Sequence, residues 1–170
     1  MNGQMSKNNS RGFTLVELMI VAVIMITIAA MALPALLRAR LQANEANAAG
    51  AMKVIVKSQV AYALAFNTGY SADLYSLGPT GGGNPSAGRA DLVDEIIAGS
   101  VPGSLAFTKA GYLFTYTPQG AFPNVQTFTL TAAPAIPGST GRRYFYADQT
   151  LIIRGSTTGP AGSGDSPIPN

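Results

Sequence analysis

The fold is decided by the stretch Arg11-Gly12-Phe13-Thr14-Leu15-Val16-Glu17-Leu18-Met19-Ile20, which opens an apolar run that continues to Leu37. From Leu18 to Leu37, twenty consecutive residues carry no charge. As a helix, residues 13–37 would rise about 37 Å, enough to span a hydrocarbon layer of roughly 30 Å with some tilt. We therefore predict a membrane-spanning helix at residues 13–37, with a single acid, Glu17, near its start.

Length alone does not say what kind of apolar segment this is. A secretory signal has an apolar core of about 7–15 residues and then small residues at a cleavage site. Ala30-Met31-Ala32 offers such a site, but the apolar run continues beyond it. A plain membrane anchor fits the length, but it gives no reason for an acid at Glu17, inside the apolar boundary.

A third interpretation accounts for both the length and the acid. The glycine, the phenylalanine after it and the acid at the rim of an apolar helix resemble the N-terminus of type IV prepilins and pseudopilins. This resemblance implies that a prepilin peptidase cleaves between Gly12 and Phe13 and that Phe13 is then N-methylated. Residues 1–12 would be the leader, which shortens to eight residues if Met5 is the true start. Glycine before the cut suits a protease, since its missing side chain lets the backbone approach closely.

The resemblance also implies a location. Lys7 and Arg11 favour a cytoplasmic N-terminus by the positive-inside rule, although Arg38 and Arg40 beyond the span reduce the bias. We predict a single-pass protein of the bacterial inner membrane that later joins a periplasmic or cell-surface filament.

Glu17 admits two interpretations. In the first, Thr14-Leu15-Val16-Glu17 is a capping box, in which the Glu17 side chain reaches back to backbone donors at the helix start. In the second, the carboxylate pairs with a cation, because an unpaired charge is costly at the membrane boundary. The family resemblance implies that this cation is the α-amino group of Phe13, in the same or a neighbouring subunit. We favour Phe13 and Glu17 as filament-assembly residues, and both interpretations can hold.

Pro34 predicts a kink late in the apolar run. Proline removes one helical hydrogen bond, and its ring clashes with the carbonyl of Ala30. A proline at this distance from the cleavage site is also typical of the family, in which the stretch before it can lose helicity on packing into a fibre.

The helix is expected to continue beyond the membrane. An apolar stripe at helical spacing comprises Leu37, Leu41, Ala48, Met52, Ile55, Tyr62 and Phe66. Asn67-Thr68-Gly69 is a stop signal. We predict one helix of about 80 Å from Phe13 to Phe66. Its second half, residues 38–66, is amphipathic and packs on the head.

The head is predicted at residues 67–154. Turn residues indicate a loop from Tyr70 to Arg89, and a short helix should follow at residues 90–98. Asp91, Asp94 and Glu95 would complement its dipole, and a calcium or catalytic role is the alternative. Alternating β-branched and aromatic residues predict about four antiparallel strands, at residues 112–117, 126–131, 144–147 and 151–154, with a hairpin at Asp148-Gln149. The fold class is therefore α+β, with a long helix packed on an antiparallel sheet. Residues 155–170, rich in Gly, Ser, Thr and Pro, are predicted to be a flexible tail.

Composition excludes several functions. The chain has no Cys and no His, so it lacks disulfides, thiol chemistry and the commonest general base. No nucleophile–base set is visible, and we predict no catalytic residue, metal or cofactor. Loss of Lys7 and Arg11 with the leader would leave nine basic and eight acidic residues, a net charge of +1. Nucleic acid is therefore not an expected partner, since Arg142-Arg143 is the only basic pair available on the head.

We predict a structural, non-enzymatic subunit of a type IV pilus-like filament, polymerised through its N-terminal helix. The expected partners are further copies of the chain in a helical filament, the prepilin peptidase and methyltransferase, an inner-membrane assembly platform, and lipid before assembly. A pseudopilin of a type II secretion system is the first alternative. A minor pilin that binds DNA or surfaces is the second.

Overall fold

One long helix forms the N-terminal part of the described chain. The structure is a computed structural model that describes residues 12–120 and 123–168. The predicted leader, except Gly12, and the alternative start at Met5 lie outside the described residues. Helix α1 (Leu15–Phe66) includes Pro34 without interruption of its helical assignment. The chain divides into two units, of which the first ends at Arg38 and the second begins at Ala39.

The second half of α1 buries one face. Ala48, Met52, Ile55 and Tyr62 are buried in the core as the stripe predicts, and Leu41 and Phe66 are half-buried. Leu37 belongs to the first unit and is exposed, so it does not extend the buried stripe. The helix ends at Phe66, as predicted from the stop signal. Gly69 has a φ of +75°, and a Cβ there would overlap the carbonyl oxygen of Val125.

The head contains a five-stranded antiparallel sheet rather than about four strands. The strands are β1 (Ala106–Lys109), β2 (Tyr112–Gln119), β3 (Thr127–Pro134), β4 (Tyr144–Asp148) and β5 (Arg154–Ser156). Each strand pairs with the next, so the spatial order is β1-β2-β3-β4-β5. The predicted α+β class and the antiparallel meander are confirmed.

Strand β1 was not predicted. It pairs with β2, and the rings of Phe107 and Phe114 stack with their centroids 4.4 Å apart. The connection is Ala110-Gly111, and both residues have positive φ, which is the geometry of a two-residue hairpin turn. Alanine rarely adopts this conformation, so Ala110-Gly111 was not recognised as a hairpin turn from sequence.

The last predicted strand is displaced. Residues 151–153 are not in a strand, and β5 starts only at Arg154. The Asp148 carboxylate accepts hydrogen bonds from the Thr150 amide at 2.9 Å and from the Thr150 hydroxyl. The amide of Leu151 bonds the Asp148 carbonyl, and Leu151 has a φ of +64°. This side-chain-stabilised turn lengthens the connection beyond the predicted two residues.

The short helix is also shorter than predicted. Helix α2 (Glu95–Ala98) has four residues, and the Asp94 side chain caps it by accepting from the Ile97 amide at 2.9 Å. The predicted first turn, residues 90–93, instead bonds backbone groups near a 3₁₀ turn (Tyr75–Leu77) that lies inside the predicted loop. Asp91 has a φ of +57°, which lies outside the helical region, so the helix cannot run through residues 90–93.

The prediction of a flexible tail is wrong for residues 155–168. The amide of Gly155 bonds the Ser166 carbonyl at 3.0 Å, and the amide of Ile168 bonds the Ile153 carbonyl at 2.9 Å. The Ile168 side chain packs partly buried against the core. The segment therefore turns back and covers the outer edge of β5, which composition alone does not reveal.

Candidate processing and assembly site

The predicted cleavage point lies just ahead of α1, in non-helical backbone. Gly12, Phe13 and Thr14 precede the first helical residue, Leu15. The Thr14 hydroxyl accepts a hydrogen bond from the Glu17 amide at 3.2 Å. The Thr14 carbonyl accepts from the Leu18 amide at 3.3 Å. Thr14 is therefore the N-cap, and it fixes where the helix starts.

Gly12 and Phe13 are open to the surroundings. Phe13 is 78% exposed, and Gly12 is exposed as well. A Cβ added at Gly12 would meet no atom within 4 Å, and its φ lies outside the left-handed region. Nothing in this chain therefore requires glycine at position 12. A requirement for glycine there would have to come from a molecule that approaches this backbone.

Glu17 forms only half of the predicted capping box. Its backbone amide is held by Thr14, as a capping box requires. In the described part of the chain, its carboxylate does not return a hydrogen bond to the Thr14 amide. The capping interpretation thus accounts for Thr14 and for the backbone of Glu17, and it leaves the Glu17 charge unexplained.

The other polar side chains of residues 13–37 are satisfied locally. The Thr27 hydroxyl donates to the Val23 carbonyl at 2.8 Å, one turn back along the helix. The Thr14 hydroxyl serves the cap. Among these residues, Glu17 is therefore the one polar side chain with no partner in the described structure, and it is also the only charged residue of the segment.

The apolar surface of this segment is continuous. All sixteen of its large hydrophobic side chains are exposed in the single chain, from Phe13 at 78% to Leu37 at 59%. Soluble monomers rarely expose apolar patches larger than a few hundred Å². Among the described residues, α1 is the one helix long and apolar enough to cross a membrane.

Pro34 lies inside α1, as the sequence requires, and lacks the amide that would bond the Ala30 carbonyl. The kink predicted at this position stays a prediction.

One residue of the acidic cluster of the head, Asp94, has a structural role. Asp94 caps α2 and forms an ion pair with Lys109, with Nζ and Oδ2 2.9 Å apart. Partial burial opposes ionisation of Asp94, but the hydrogen bonds from Lys109 and the Ile97 amide outweigh it and lower the pKa of the carboxyl. Among the described residues, no group of three or more Asp and Glu side chains gathers as a metal site would require.

The basic pair of the head is engaged through its backbone. The Glu45 carboxylate accepts hydrogen bonds from the amides of Arg142, at 2.8 Å, and Arg143, at 3.4 Å. Sequence reasoning missed this contact, in which Glu45 of α1 holds the β3–β4 connection. The two exposed guanidinium groups are the only basic pair adjacent in sequence, as expected.

An exposed glycine thus precedes a capped apolar helix, and the carboxylate of the one acid in this segment has no partner among the described residues. The sequence model of the prokaryotic N-terminal methylation motif matches residues 7–33. The chain therefore carries the N-terminal signal of type IV pilins and pseudopilins, as the residues around Gly12 predict. Neither the curated proteins nor the solved structures give a significant match to this chain.

The motif and the apolar helix together support a membrane-anchored, type IV pilin-like or pseudopilin protein of structural type. The motif implies processing by a prepilin peptidase and assembly into filaments. The motif ends at residue 33, within the first half of α1, and it gives no information about the head.

Proposed function

We propose that this protein is the structural subunit of a type IV pilus-like filament. In the proposal, the chain enters the bacterial inner membrane with its N-terminus in the cytoplasm, and a prepilin peptidase cleaves it between Gly12 and Phe13. Phe13 is N-methylated, and an inner-membrane platform then polymerises the subunit through residues 13–37. The single observation that carries the proposal is that the methylation motif coincides with an apolar helical segment whose large side chains are all exposed in the single chain.

Lipid and neighbouring helices can both cover this surface. A helix satisfies its own backbone, so residues 13–37 can pass from lipid to a helical bundle without exposing unpaired backbone groups. Apolar packing gains little net free energy in that transfer, because lipid tails are as apolar as leucine. A polar contact is therefore needed to select the correct neighbour.

Glu17 is the residue that fits this need. It has no partner for its carboxylate in the described chain, and cleavage before Phe13 would create an α-amino group four residues away. The proposal assigns the pairing of these two groups, within one subunit or between neighbours, to the registration of subunits in the filament.

The alternative function is a pseudopilin of a type II secretion system, which would use the same segment in a short periplasmic fibre. The methylation motif is common to both classes, and it supports both. A minor pilin that binds DNA or surfaces would need a further site on the head.

Two measurements test the proposal, one on the protein from the wild-type strain and one that compares this strain with a deletion strain. Intact-mass analysis of the membrane and filament forms should give a chain that begins at Phe13 and is one methyl group heavier than the unmodified sequence. Electron microscopy should show surface fibres that disappear on deletion and return with the wild-type gene. A mature chain that begins at Leu33, or that retains Lys7, would contradict the processing step. Unaltered surface fibres after deletion would favour the pseudopilin or the minor pilin.

A further inference from the structure

An apolar groove with a basic border lies on the head at the β5 edge of the sheet. It encloses about 730 Å³. Helix α1 contributes Val56 and Val60, and the β4–β5 connection contributes Leu151 and Ile152. The ordered C-terminal segment closes one side. Both members of the β4–β5 connection named here are at least 40% exposed, so the groove is open to a partner.

Two lysines give the groove its charge. Lys53 and Lys57 of α1 line it, one turn of helix apart. In the part of the chain that the structure describes, neither ammonium group has an acidic partner, because the one ion pair there joins Lys109 and Asp94. The groove therefore suits a partner that is both apolar and acidic.

The chain itself carries such a surface, which we call the acidic patch (Asp91, Glu95 and Ile96). Ile96 is 60% exposed, whereas the next residue, Ile97, is buried in the core. Asp91 and Glu95 are exposed, and neither forms an ion pair within the described residues. The acidic patch thus combines an exposed branched apolar side chain with the carboxylates of Asp91 and Glu95, which precede it in the sequence.

The groove and the acidic patch lie at opposite edges of the sheet. Helix α2, which carries Glu95 and Ile96, packs on β1, and β1 is one edge strand. The groove is built beside β5, which is the other edge strand. One head therefore cannot fill its own groove with its own patch. A contact between the two must join different copies, and each added copy leaves one groove and one patch free.

We propose that the groove of one head receives the acidic patch of a second copy of this chain. Ile96 would enter between α1 and the β4–β5 connection, with Lys53 and Lys57 facing Asp91 and Glu95. Such a head-to-tail contact is heterologous, and when its rotation does not close a ring it generates an open helical array. The inference rests on the proposed filament function, to which it adds a specific lateral contact between heads.

Cross-linking of the full-length protein tests the contact directly. The natural chain has no Cys, so only introduced thiols can react. The double variant Lys57→Cys with Glu95→Cys, in membranes treated with a short thiol-to-thiol cross-linker, should give a ladder of dimers, trimers and larger species. Each single variant should stay monomeric, because the contact joins two different surfaces. Dimers of a single variant would indicate a symmetric contact and would overturn the proposal.

A matched control excludes random collision. Lys57→Cys combined with Ile136→Cys places the second thiol at an isoleucine that is also 60% exposed but belongs to the β3–β4 connection. This variant should give no ladder. An equal ladder in the control, or cross-links from the double variant only to another protein, would overturn the proposal.

Charge reversal tests the same contact in assembly. Lys53→Glu with Lys57→Glu should lower filament yield about tenfold, which corresponds to about 1.4 kcal/mol. Asp91→Lys with Glu95→Lys should do the same, and the chain that carries all four changes should regain most of the yield. A fourfold variant no better than either double variant would contradict the proposal.

These outcomes separate the inference from the function. If wild-type filaments form and the ladder is absent, the contact is wrong and the filament function stands. If the wild type forms no filament, the proposed function fails, and the ladder still decides whether heads meet in this way.

Discussion

The two halves of α1 have similar residues and opposite surroundings. Ile24 in the first half is 54% exposed, whereas Ile55 in the second half is fully buried. The first half leaves every large apolar side chain uncovered, and the second half buries a stripe in the core of the head. The difference in burial between the two halves therefore does not come from a difference in helical propensity. The head covers the apolar stripe of the second half. The apolar surface of the first half is left uncovered by the single chain, so another molecule must cover it.

The acids of the two regions differ in the same way. In the head, Glu45 accepts two backbone amides and Asp94 caps a helix while it pairs with Lys109. In the first half, the Glu17 carboxylate has no such partner among the described residues. A charge that is solvated or bonded is ordinary, but a lone charge in an apolar segment indicates a partner elsewhere.

Gly12→Val tests the start of the first half and should have the largest effect. The side chain would be accommodated by this chain, since nothing lies within 4 Å of a Cβ at Gly12. It should nevertheless block cleavage almost completely, because the peptidase must approach the backbone there. Intact-mass analysis of membranes should find the uncleaved chain, inserted normally.

Gly50→Val is the control. Gly50 also has open space around its Cβ and lies in the second half of α1. This variant should be cleaved like the wild type. Normal cleavage of Gly12→Val would show that glycine is not required at position 12.

Glu17→Ala should leave cleavage and insertion unchanged and should strongly reduce filament assembly. The incoming Phe13 amine would be left unpaired in an apolar bundle, at a cost on the order of a few kcal/mol per subunit. The ratio of filament protein to membrane protein, measured by quantitative blotting, reports the loss.

Two further variants distinguish the pairing role of the Glu17 carboxylate from the capping role of Thr14. Glu17→Gln keeps the size and a weak acceptor, so assembly should be impaired less than in Glu17→Ala. Thr14→Ala removes the cap at a cost of about 1 kcal/mol of helix stability and should impair assembly less than Glu17→Ala. If Glu17→Ala assembles as abundantly as the wild type, the pairing role is wrong and only the capping role remains.

Ile55→Ala and Ile24→Ala compare the two halves by the same substitution. Ile55→Ala should lower the free energy of unfolding of the head by about 2–5 kcal/mol, because it leaves a cavity in a packed core. Ile24→Ala should leave head stability unchanged. Urea denaturation of the full-length proteins in detergent, followed by tyrosine fluorescence, measures both. Equal losses would mean that the two halves are not independent in stability.

The helix was predictable because its signals are local. The apolar run to Leu37, the stripe through Met52 and Tyr62, and the stop at Asn67-Thr68-Gly69 each depend on residues close in sequence. The match to the methylation motif at residues 7–33 confirms the family resemblance read from Gly12, Phe13 and Glu17. The strands β2, β3 and β4 also follow from alternation that is visible in the sequence.

The elements that were predicted incorrectly depend on contacts between residues distant in sequence or on local backbone conformations that the sequence pattern does not reveal. Strand β1 has only four residues, and its turn places an alanine at a φ of +50°. Hydrogen bonds between Asp148 and Thr150 lengthen the connection before β5, and the positive φ of Asp91 prevents α2 from starting at residue 90. A composition-based rule assigned disorder to residues 155–168, although backbone pairing with β5 can order a polar segment.

The head should lose stability in alkali. Burial, with a contribution from the Glu45 carboxylate, raises the pKa of Tyr112 to about 12, and burial also raises the pKa of Tyr116. An unfolded tyrosine ionises near pH 10. The native state therefore holds these protons more tightly, and its stability is fully present below about pH 10 and falls as the pH rises toward 12.

Thermal unfolding between pH 7 and 11.5 measures this dependence, and Tyr112→Phe is the control. The variant loses the hydrogen bond from the Tyr112 hydroxyl to the Arg143 carbonyl, worth about 1 kcal/mol at neutral pH. Its melting temperature should then fall less steeply above pH 10. An identical slope in the two proteins would mean that Tyr112 does not contribute to the alkaline loss.

Ile168→Ser should have the smallest effect, and it tests whether the C-terminal segment belongs to the head. The Ile168 side chain is half-buried against the core, and its amide bonds the Ile153 carbonyl. Removal of a partly buried branched side chain should lower the free energy of unfolding by about 1 kcal/mol. Ile136→Ser is the matched control, since Ile136 is 60% exposed and should change stability by less than about 0.5 kcal/mol. Urea denaturation measures both. If the two variants are equally stable, the contact between the Ile168 side chain and the core contributes nothing to the stability of the head.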